Sequence, residues 1–412
     1  MSRPLRSPVA VSGVGVVSAV GNGRRAFWDS LIHGRHGFRE ITLADTSDLQ
    51  FHLGAQIEGL TWKALEGVFE RGSRELLDRF AMMFLLAARE AVSDSGLERS
   101  DFSDAAIVTG SSLGGQTTED DLFRSLYAEG RRRITPFAVP RTMANAGASH
   151  LSMELGCEGP GMTLSTACAS SAHAIGIAFW MVSQGVVERA ICGGSEAPFS
   201  RGHLKAWDAL RAISPDVCRP FSLGRKGMVL GEGGGALVLE SRESARKRGA
   251  RIRALLVGFG MSSDAGHITK PSARGASRAL TSALEDGGID PDLVDYINAH
   301  GTGTPLNDAC EAQAVLDVFG ERGSKLMVSS TKSMHGHGLG ASGALEAVAT
   351  VLAIERGEVP PTANFLTPDP ACPLDCVPNE AREARVRTAL SSSFAFGGLN
   401  AVLAFASGAA VS

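Results

Sequence analysis

Met162-Thr163-Leu164-Ser165-Thr166-Ala167-Cys168-Ala169-Ser170-Ser171-Ala172-His173 is the stretch on which the fold turns. Gly159-Pro160-Gly161 sets off residues 162–164 as a short strand, and residues 172–184 carry Ala, Ile, Phe and Trp at helical spacing until Gly185 stops them. The pattern predicts a strand-to-helix junction at Cys168, with the thiol pointing out of a sheet and sitting on the first turn of a helix. Unpaired N–H groups there carry roughly half a positive charge. That field favours thiolate over thiol, lowering a cysteine pKa of about 8.5 and making the sulfur a nucleophile. A buried, inert small residue is the competing reading of the same cysteine.

Outward from this junction, strand-like runs recur at 9–17, 105–110, 189–194, 236–240, 253–260, 296–298, 326–329, 387–391 and 401–406. Helical periodicity occupies 76–95, 172–184, 275–287, 308–319 and 342–356. Strands alternating with helices predict an α/β chain of layered sheets. The charged stretch 240–251 is the natural divide, giving halves 1–250 and 251–412 that share one core, because no linker separates them. Residues 12–21 and 258–266 echo each other as strands running into Gly and Ser, too faintly to establish a repeat. The glycine runs Gly231-Glu232-Gly233-Gly234-Gly235 and Gly110-Ser111-Ser112-Leu113-Gly114-Gly115 do not match a dinucleotide fingerprint, and close backbone packing is their expected reason.

The chain has 412 residues, 44% hydrophobic and 20% charged, with net charge −4. That balance describes an ordinary globular enzyme and offers no basic field for nucleic acid. The apolar run after Arg3 and Arg6 is interrupted by Ser12, Gly13 and Gly15, so it reads as a core strand, not a secretory leader. No stretch predicts a membrane span. The seven cysteines are odd in number and scattered among apolar neighbours, which fits a reducing cytoplasm. Cys372 and Cys376 have no second pair or histidine cluster to complete a zinc site.

Two downstream loops gather chemistry. Asn298-Ala299-His300-Gly301-Thr302-Gly303-Thr304-Pro305 follows one strand, and Ser330-Thr331-Lys332-Ser333-Met334-His335-Gly336-His337-Gly338-Leu339-Gly340 follows another and leads into a helix carrying Glu346. Histidines at strand ends beside glycines are placed to face a pocket. His335 and His337 form an H-x-H pair, but no thiolate or carboxylate stands at ligand spacing and Lys332 would repel a cation, so no metal is expected.

These residues resemble the elongating β-ketoacyl-[acyl-carrier-protein] synthases. The likeness runs through Thr166-Ala167-Cys168, Gly193-Gly194-Ser195-Glu196, Cys218-Arg219-Pro220-Phe221-Ser222, the two histidine loops, Val359-Pro360-Pro361-Thr362-Ala363-Asn364 and Phe394-Ala395-Phe396-Gly397-Gly398-Leu399-Asn400, nearly the whole chain in order. Leu204-Lys205-Ala206-Trp207, Arg225-Lys226-Gly227-Met228-Val229-Leu230 and His267-Ile268-Thr269 point to a specialised branch making unusual acyl chains.

The resemblance implies the thiolase fold, two similar halves stacked as five αβαβα layers, in a homodimer or in a heterodimer with a non-catalytic chain-length partner. It implies Cys168 as acyl acceptor, His300 and His337 as N–H donors to a decarboxylated enolate, and Lys332 with Glu346 as their support. It implies Phe396 as the gate and, by its N–H, part of the oxyanion hole with Cys168. Thr302 and Thr304 would hold the phosphopantetheine arm of acyl-carrier protein, Leu113 and Trp207 would line the acyl pocket, and Arg132, Arg133 and Arg211 would dock the acidic carrier. No cofactor is implied beyond that arm. His335, Ala395 and Leu399 depart from the housekeeping pattern of Thr, Gly and Thr, which puts the substrate in question but not the chemistry.

A thiolase would need a second, C-terminal catalytic cysteine, and the last cysteine is Cys376, outside the 394–400 loop. A chain-initiating synthase would carry Asn in place of His337. A chain-length subunit would lack Cys168. A Cys-His hydrolase would leave the second histidine loop unexplained.

Overall fold

The computed structural model describes residues 6–70 and 72–408. Residues 1–5, with Arg3, lie outside the described residues. β-Branched and small side chains fill two sets of strands. The first is β1 (Val9–Ser18), β2 (Ala106–Gly110), β3 (Gly161–Leu164), β4 (Arg189–Glu196) and β5 (Gly233–Ser241). The second is β6 (Ala254–Ser263), β7 (Tyr296–Asn298), β8 (Met327–Ser329), β9 (Thr388–Phe394) and β10 (Leu399–Ala406).

Their spatial orders are β3-β2-β4-β5-β1 and β8-β7-β9-β10-β6. In each set the third, second, fourth, fifth and first strands therefore succeed one another. The pairing senses repeat too: third with second and second with fourth are parallel, fourth with fifth and fifth with first antiparallel. The sets join where β1 meets β6 antiparallel, with Val9 opposite Leu256 and Val11 opposite Ala254.

Helices α2 (Ser170–Ser183) and α5 (Ser342–Arg356) pack on each other and on strands of both sets, forming the middle layer. Each follows the third strand of its set. Helix α1 (Arg79–Ser95) covers β1, β4 and β5 from outside, and α3 (Ala273–Gly287), backed by α4 (Pro305–Phe319), covers β6 and β10. The result is the five-layer αβαβα thiolase fold. Helix α5 is buried from Ser342 to Ile354, which is why it is apolar on nearly every face.

The faint echo in the sequence has a steric cause. A Cβ on Gly13 or Gly15 would lie 2.1 Å from Ala91 O or 2.0 Å from Ala87 O of α1; one on Gly258 or Gly260 would lie 2.4 Å from Ala283 O or 2.1 Å from Ala279 O of α3. In both sets the first strand needs glycine so that the outer helix can approach the sheet backbone. The glycine run before β5 continues into it, because α1 and α5 press from opposite sides: a Cβ would meet Met83 O at 3.0 Å on Gly234 and the Ala344 carbonyl carbon at 2.8 Å on Gly235. The helices Gln116–Tyr127, Ala146–Leu155 and Arg201–Leu210 escaped the periodicity reading. They are short, and few of their positions are buried, so few apolar repeats were there to be seen.

Candidate active site

Cys168 stands in the turn between β3 and α2. Ala167 has φ 48, a strained left-handed conformation for a residue with a Cβ, and this sharp reversal presents the next side chain. Ser170 Oγ braces the turn, accepting from Thr166 N (2.9 Å) and donating to Ala167 O (2.6 Å). On Gly110 a Cβ would lie 2.3 Å from Ser171 N, so that glycine admits the helix end beside β2. The helix begins at Ser170 with Ala169 as its N-cap, so Cys168 precedes the first turn instead of sitting on it. The side chain is buried, and burial pushes the thiol up to about 11. The charge of Lys332 and the backbone N–H groups of Phe396 and of Cys168 itself pull the other way. This corrects the expectation of a lowered pKa: at this buried position, desolvation outweighs the local field.

His300 leaves the end of β7. Its N–H and that of Gly301 donate to the two oxygens of Glu311 on α4, at 2.8 and 2.7 Å. His337 is held through its own backbone, its N–H donating to Val229 O (2.7 Å) and its carbonyl accepting from Gly231 N (2.9 Å). The two imidazoles face each other edge to face, centroids 5.4 Å apart and planes at 85°. Lys332 Nζ lies 3.2 Å from His300 Nδ1 and forms a fully buried ion pair with Glu346. Burial and the charges of Lys332 and His337 push His300 well below 6.5; burial and the charges of Lys332 and His335 do the same to His337. Both rings are therefore neutral. An ammonium has only donors, so His300 Nδ1 accepts and the ring proton sits on Nε2. His337 Nδ1 lies 2.8 Å from Ser342 Oγ, a hydroxyl that orients the ring through a hydrogen bond. Burial raises Glu346 to about 7 against the pull of Lys332.

Cys168, His300 and His337 line one cavity of about 430 Å³. Phe396, Trp207, Thr302 and Thr304 line it too, as does Arg211. Thr302 and Thr304 hydroxyls are 2.9 Å apart. Ala395 is buried, whereas Phe396 is 39% exposed and stacks on Trp207 at 6.0 Å. Leu113 lies outside this lining; its N–H donates to Glu196 at 3.2 Å. Arg132 and Arg133 are exposed and also stand outside it. His335 turns elsewhere: its Nδ1–H donates to Gly336 O (2.8 Å), its Nε2 accepts from Thr331 Oγ1 (3.0 Å), and its ring lies against Phe27.

Several residues with site-shaping contacts carried no role in the sequence reading. Glu311 clamps the His300 loop. Glu196 accepts from Ser111 Oγ (2.9 Å), Ser112 N (2.7 Å) and Gly340 N (3.2 Å), tying the ends of β2 and β4 to the turn after His337. Asp308 accepts from Gly303 N (3.2 Å) and Phe221 N (2.8 Å), and Arg225 bridges Asp308 to Asp369. Lys226 and Lys270 join Arg211 on the cavity lining. The signal for Glu311 in the sequence is a carboxylate set among small and apolar residues, Ala309-Cys310-Glu311-Ala312.

The fold and this constellation define a condensing acyltransferase. Residues 6–245 match the family described as beta-ketoacyl synthase, N-terminal domain, and residues 253–366 the beta-ketoacyl synthase, C-terminal domain. The chain belongs to the β-ketoacyl synthase family. It is 44% identical over 400 residues to nodulation protein E of Rhizobium sp. (strain N33), covering 96% of this chain and 98% of that one. It is 41% identical over 406 residues to 3-oxoacyl-[acyl-carrier-protein] synthase 2 of Staphylococcus aureus (strain N315), covering 96% and 97%. Among solved structures, the ishigamide ketosynthase/chain length factor superposes with TM-score 0.93 at 37% identity, covering 98% of this chain and 99% of that one. Among the described residues, no helix is long and apolar enough to cross a membrane.

Proposed function

We propose that the protein is a 3-oxoacyl-[acyl-carrier-protein] synthase that lengthens a carrier-bound acyl chain by two carbons. The carrying observation is that one cavity holds a buried thiol and two neutral imidazoles, with Lys332 against His300 Nδ1 and Ser342 against His337 Nδ1. In the first half-reaction Cys168 Sγ adds to the acyl thioester carbonyl. The N–H groups of Cys168 and Phe396 stabilise the oxyanion, and the phosphopantetheine thiol departs with the proton that the cysteine gives up. In the second, malonyl-carrier protein loses CO2. The electron pair of the broken C–C bond forms an enolate whose oxygen receives hydrogen bonds from His300 and His337. The enolate carbon then attacks the acyl-cysteine carbonyl, expelling Cys168 as thiolate, which recovers a proton.

The steps balance without a redox cofactor or metal, so none is assigned. Lys332 and Glu346 are positioning residues in this reading. Thr302 and Thr304 hold the phosphopantetheine amides, Trp207 bounds the acyl pocket, and Phe396 gates it. The exposed Arg132 and Arg133, with Arg211 on the cavity lining, receive the acidic carrier. Leu113 would contribute to an acyl pocket only beyond this cavity. The repeated strand order supports a division into halves 1–250 and 251–412, with the thiol from the first and both histidines from the second. The edge strand β3, with exposed Met162, supports pairing with a second condensing chain, a homodimer partner or a chain-length subunit. Seven unpaired cysteines, all but Cys310 buried, support a cytoplasmic setting. Nodulation protein E and the ketosynthase/chain-length-factor likeness support a specialised fatty-acid or polyketide pathway.

Intact-protein mass spectrometry after incubation with acyl-carrier proteins tests this. The parent should gain one acyl mass, and Cys168→Ala none. His337→Ala should be acylated yet lose most malonyl decarboxylation and condensation. Normal condensation by either variant would overturn the assignment.

A further inference from the structure

The helix Arg201–Leu210 carries a hydrogen-bonded pair beside the gate that catalysis does not use. Trp207 Nε1–H donates to His203 Nε2 at 2.6 Å, one helical turn back, with the rings edge to face at 83°. His203 must therefore hold its own proton on Nδ1. Burial keeps the imidazole neutral, pushing it down to about 4. The Trp207 ring also stacks on Phe396, with centroids 6.0 Å apart and planes at 27°.

The two stacked rings differ in their anchoring. Trp207 is buried on a helix, whereas Phe396 is 39% exposed on a loop followed by Gly397 and Gly398, both at positive φ (84 and 69). Those glycines allow a backbone excursion closed to other residues. The indole is held on the buried face of a helix, so it is the surface against which Phe396 comes to rest. Phe396 and Cys168 line the same cavity, so the resting place of that ring also defines the space beside the nucleophile.

We propose that His203 is a positioning residue that locks the Trp207 indole as a fixed wall against Phe396, and that this wall selects the acyl groups admitted to Cys168. The proposal rests on Cys168 being the acyl acceptor. Its physical basis is that an indole N–H buried without an acceptor is unfavourable. Without the imidazole, the ring turns to find another partner and the wall gives way. Bulkier or longer chains then pass.

The test is competitive acylation of Cys168 by a series of acyl-carrier proteins of increasing chain length, read as the ratio of acyl masses. His203→Phe keeps a ring of similar size but removes the acceptor, and should shift the ratio toward longer chains by about tenfold, the scale on which a hydrophobic wall discriminates. His203→Gln, whose amide oxygen can take the indole N–H, should keep the parent ratio. Trp207→Phe should reproduce the shift, and the double variant should add nothing to it. In 15N-labelled protein the Trp207 indole resonance should move in His203→Phe and return in His203→Gln. An unchanged ratio in His203→Phe, or a His203→Gln as altered as His203→Phe, overturns the proposal and leaves the synthase reading standing. A parent that is acylated by no chain in the series overturns the synthase reading and this proposal with it.

Discussion

Lys332 is where one charge is put to three uses. It donates to His300, pairs with Glu346, and lowers the pKa of the Cys168 thiol that burial has raised to about 11. Removing the charge in Lys332→Met should therefore raise the thiol pKa further and slow alkylation of Cys168 by iodoacetamide at pH 8. In the parent, alkylation should climb about tenfold per pH unit through the neutral range, following the thiolate fraction. A pH-independent rate would mean a preformed thiolate. Ser342 is the corresponding handle on His337. Ser342→Ala removes the hydrogen-bond partner that orients the His337 ring, and should lower condensation by about tenfold to a hundredfold while acylation of Cys168 proceeds. Ser342→Thr, which restores a hydroxyl, should recover most of it. Equal loss of both half-reactions would indicate a packing defect instead. The Lys332–Glu346 pair was implied by the family resemblance, whereas the Ser342 contact carried no signal in the sequence. Residue types and glycine neighbours marked Cys168, His300 and His337 as reactive, but the direction of a pKa depends on how much water is excluded, and spacing does not record that.

At the scale of elements, the sharp turn at Ala167 and the glycine-lined first strands decide where the reactive groups stand. Gly15→Ala would place a methyl 2.0 Å from Ala87 O, and Gly260→Ala one 2.1 Å from Ala279 O. Each should destabilise the fold by about 2 kcal/mol or more, measured by chemical denaturation. The two effects should be similar, because the two outer helices use the same packing. Strands and helices with clear periodicity were predictable because each buries one face or a whole segment. Gly233-Gly234-Gly235 were excluded from the predicted strand because glycine disfavours strands locally. Pressure from α1 and α5 overrides that preference.

For the whole molecule, buried carboxyls contribute to the response to pH. Glu196, Glu311 and Glu346 are each raised by burial to about 7. A carboxyl whose folded pKa exceeds its unfolded value of 4.5 contributes stability that is present below 4.5 and lost as pH rises through about 7. Glu196→Gln, uncharged throughout, lacks that slope. Its stability relative to the parent should therefore improve from pH 5 to pH 8, by on the order of 3 kcal/mol at most. Thermal unfolding of both proteins across that range measures it. A parent that gains on the variant with rising pH would show that the donors from Ser111, Ser112 and Leu113 hold Glu196 ionised.

The sequence by itself determined the α/β class, the positions of most strands and central helices, and the identity of the thiol and both histidines. Those features depend on local periodicity and on residue types whose chemistry needs no partner to be recognised. Only the tertiary structure decided the duplicated strand order, the Glu311 clamp on the His300 loop, the elevated thiol pKa and the stacking of Trp207 on Phe396. Each of these joins residues far apart in the chain, or depends on burial. Distance and desolvation exist only once the two sheets have closed on their middle layer.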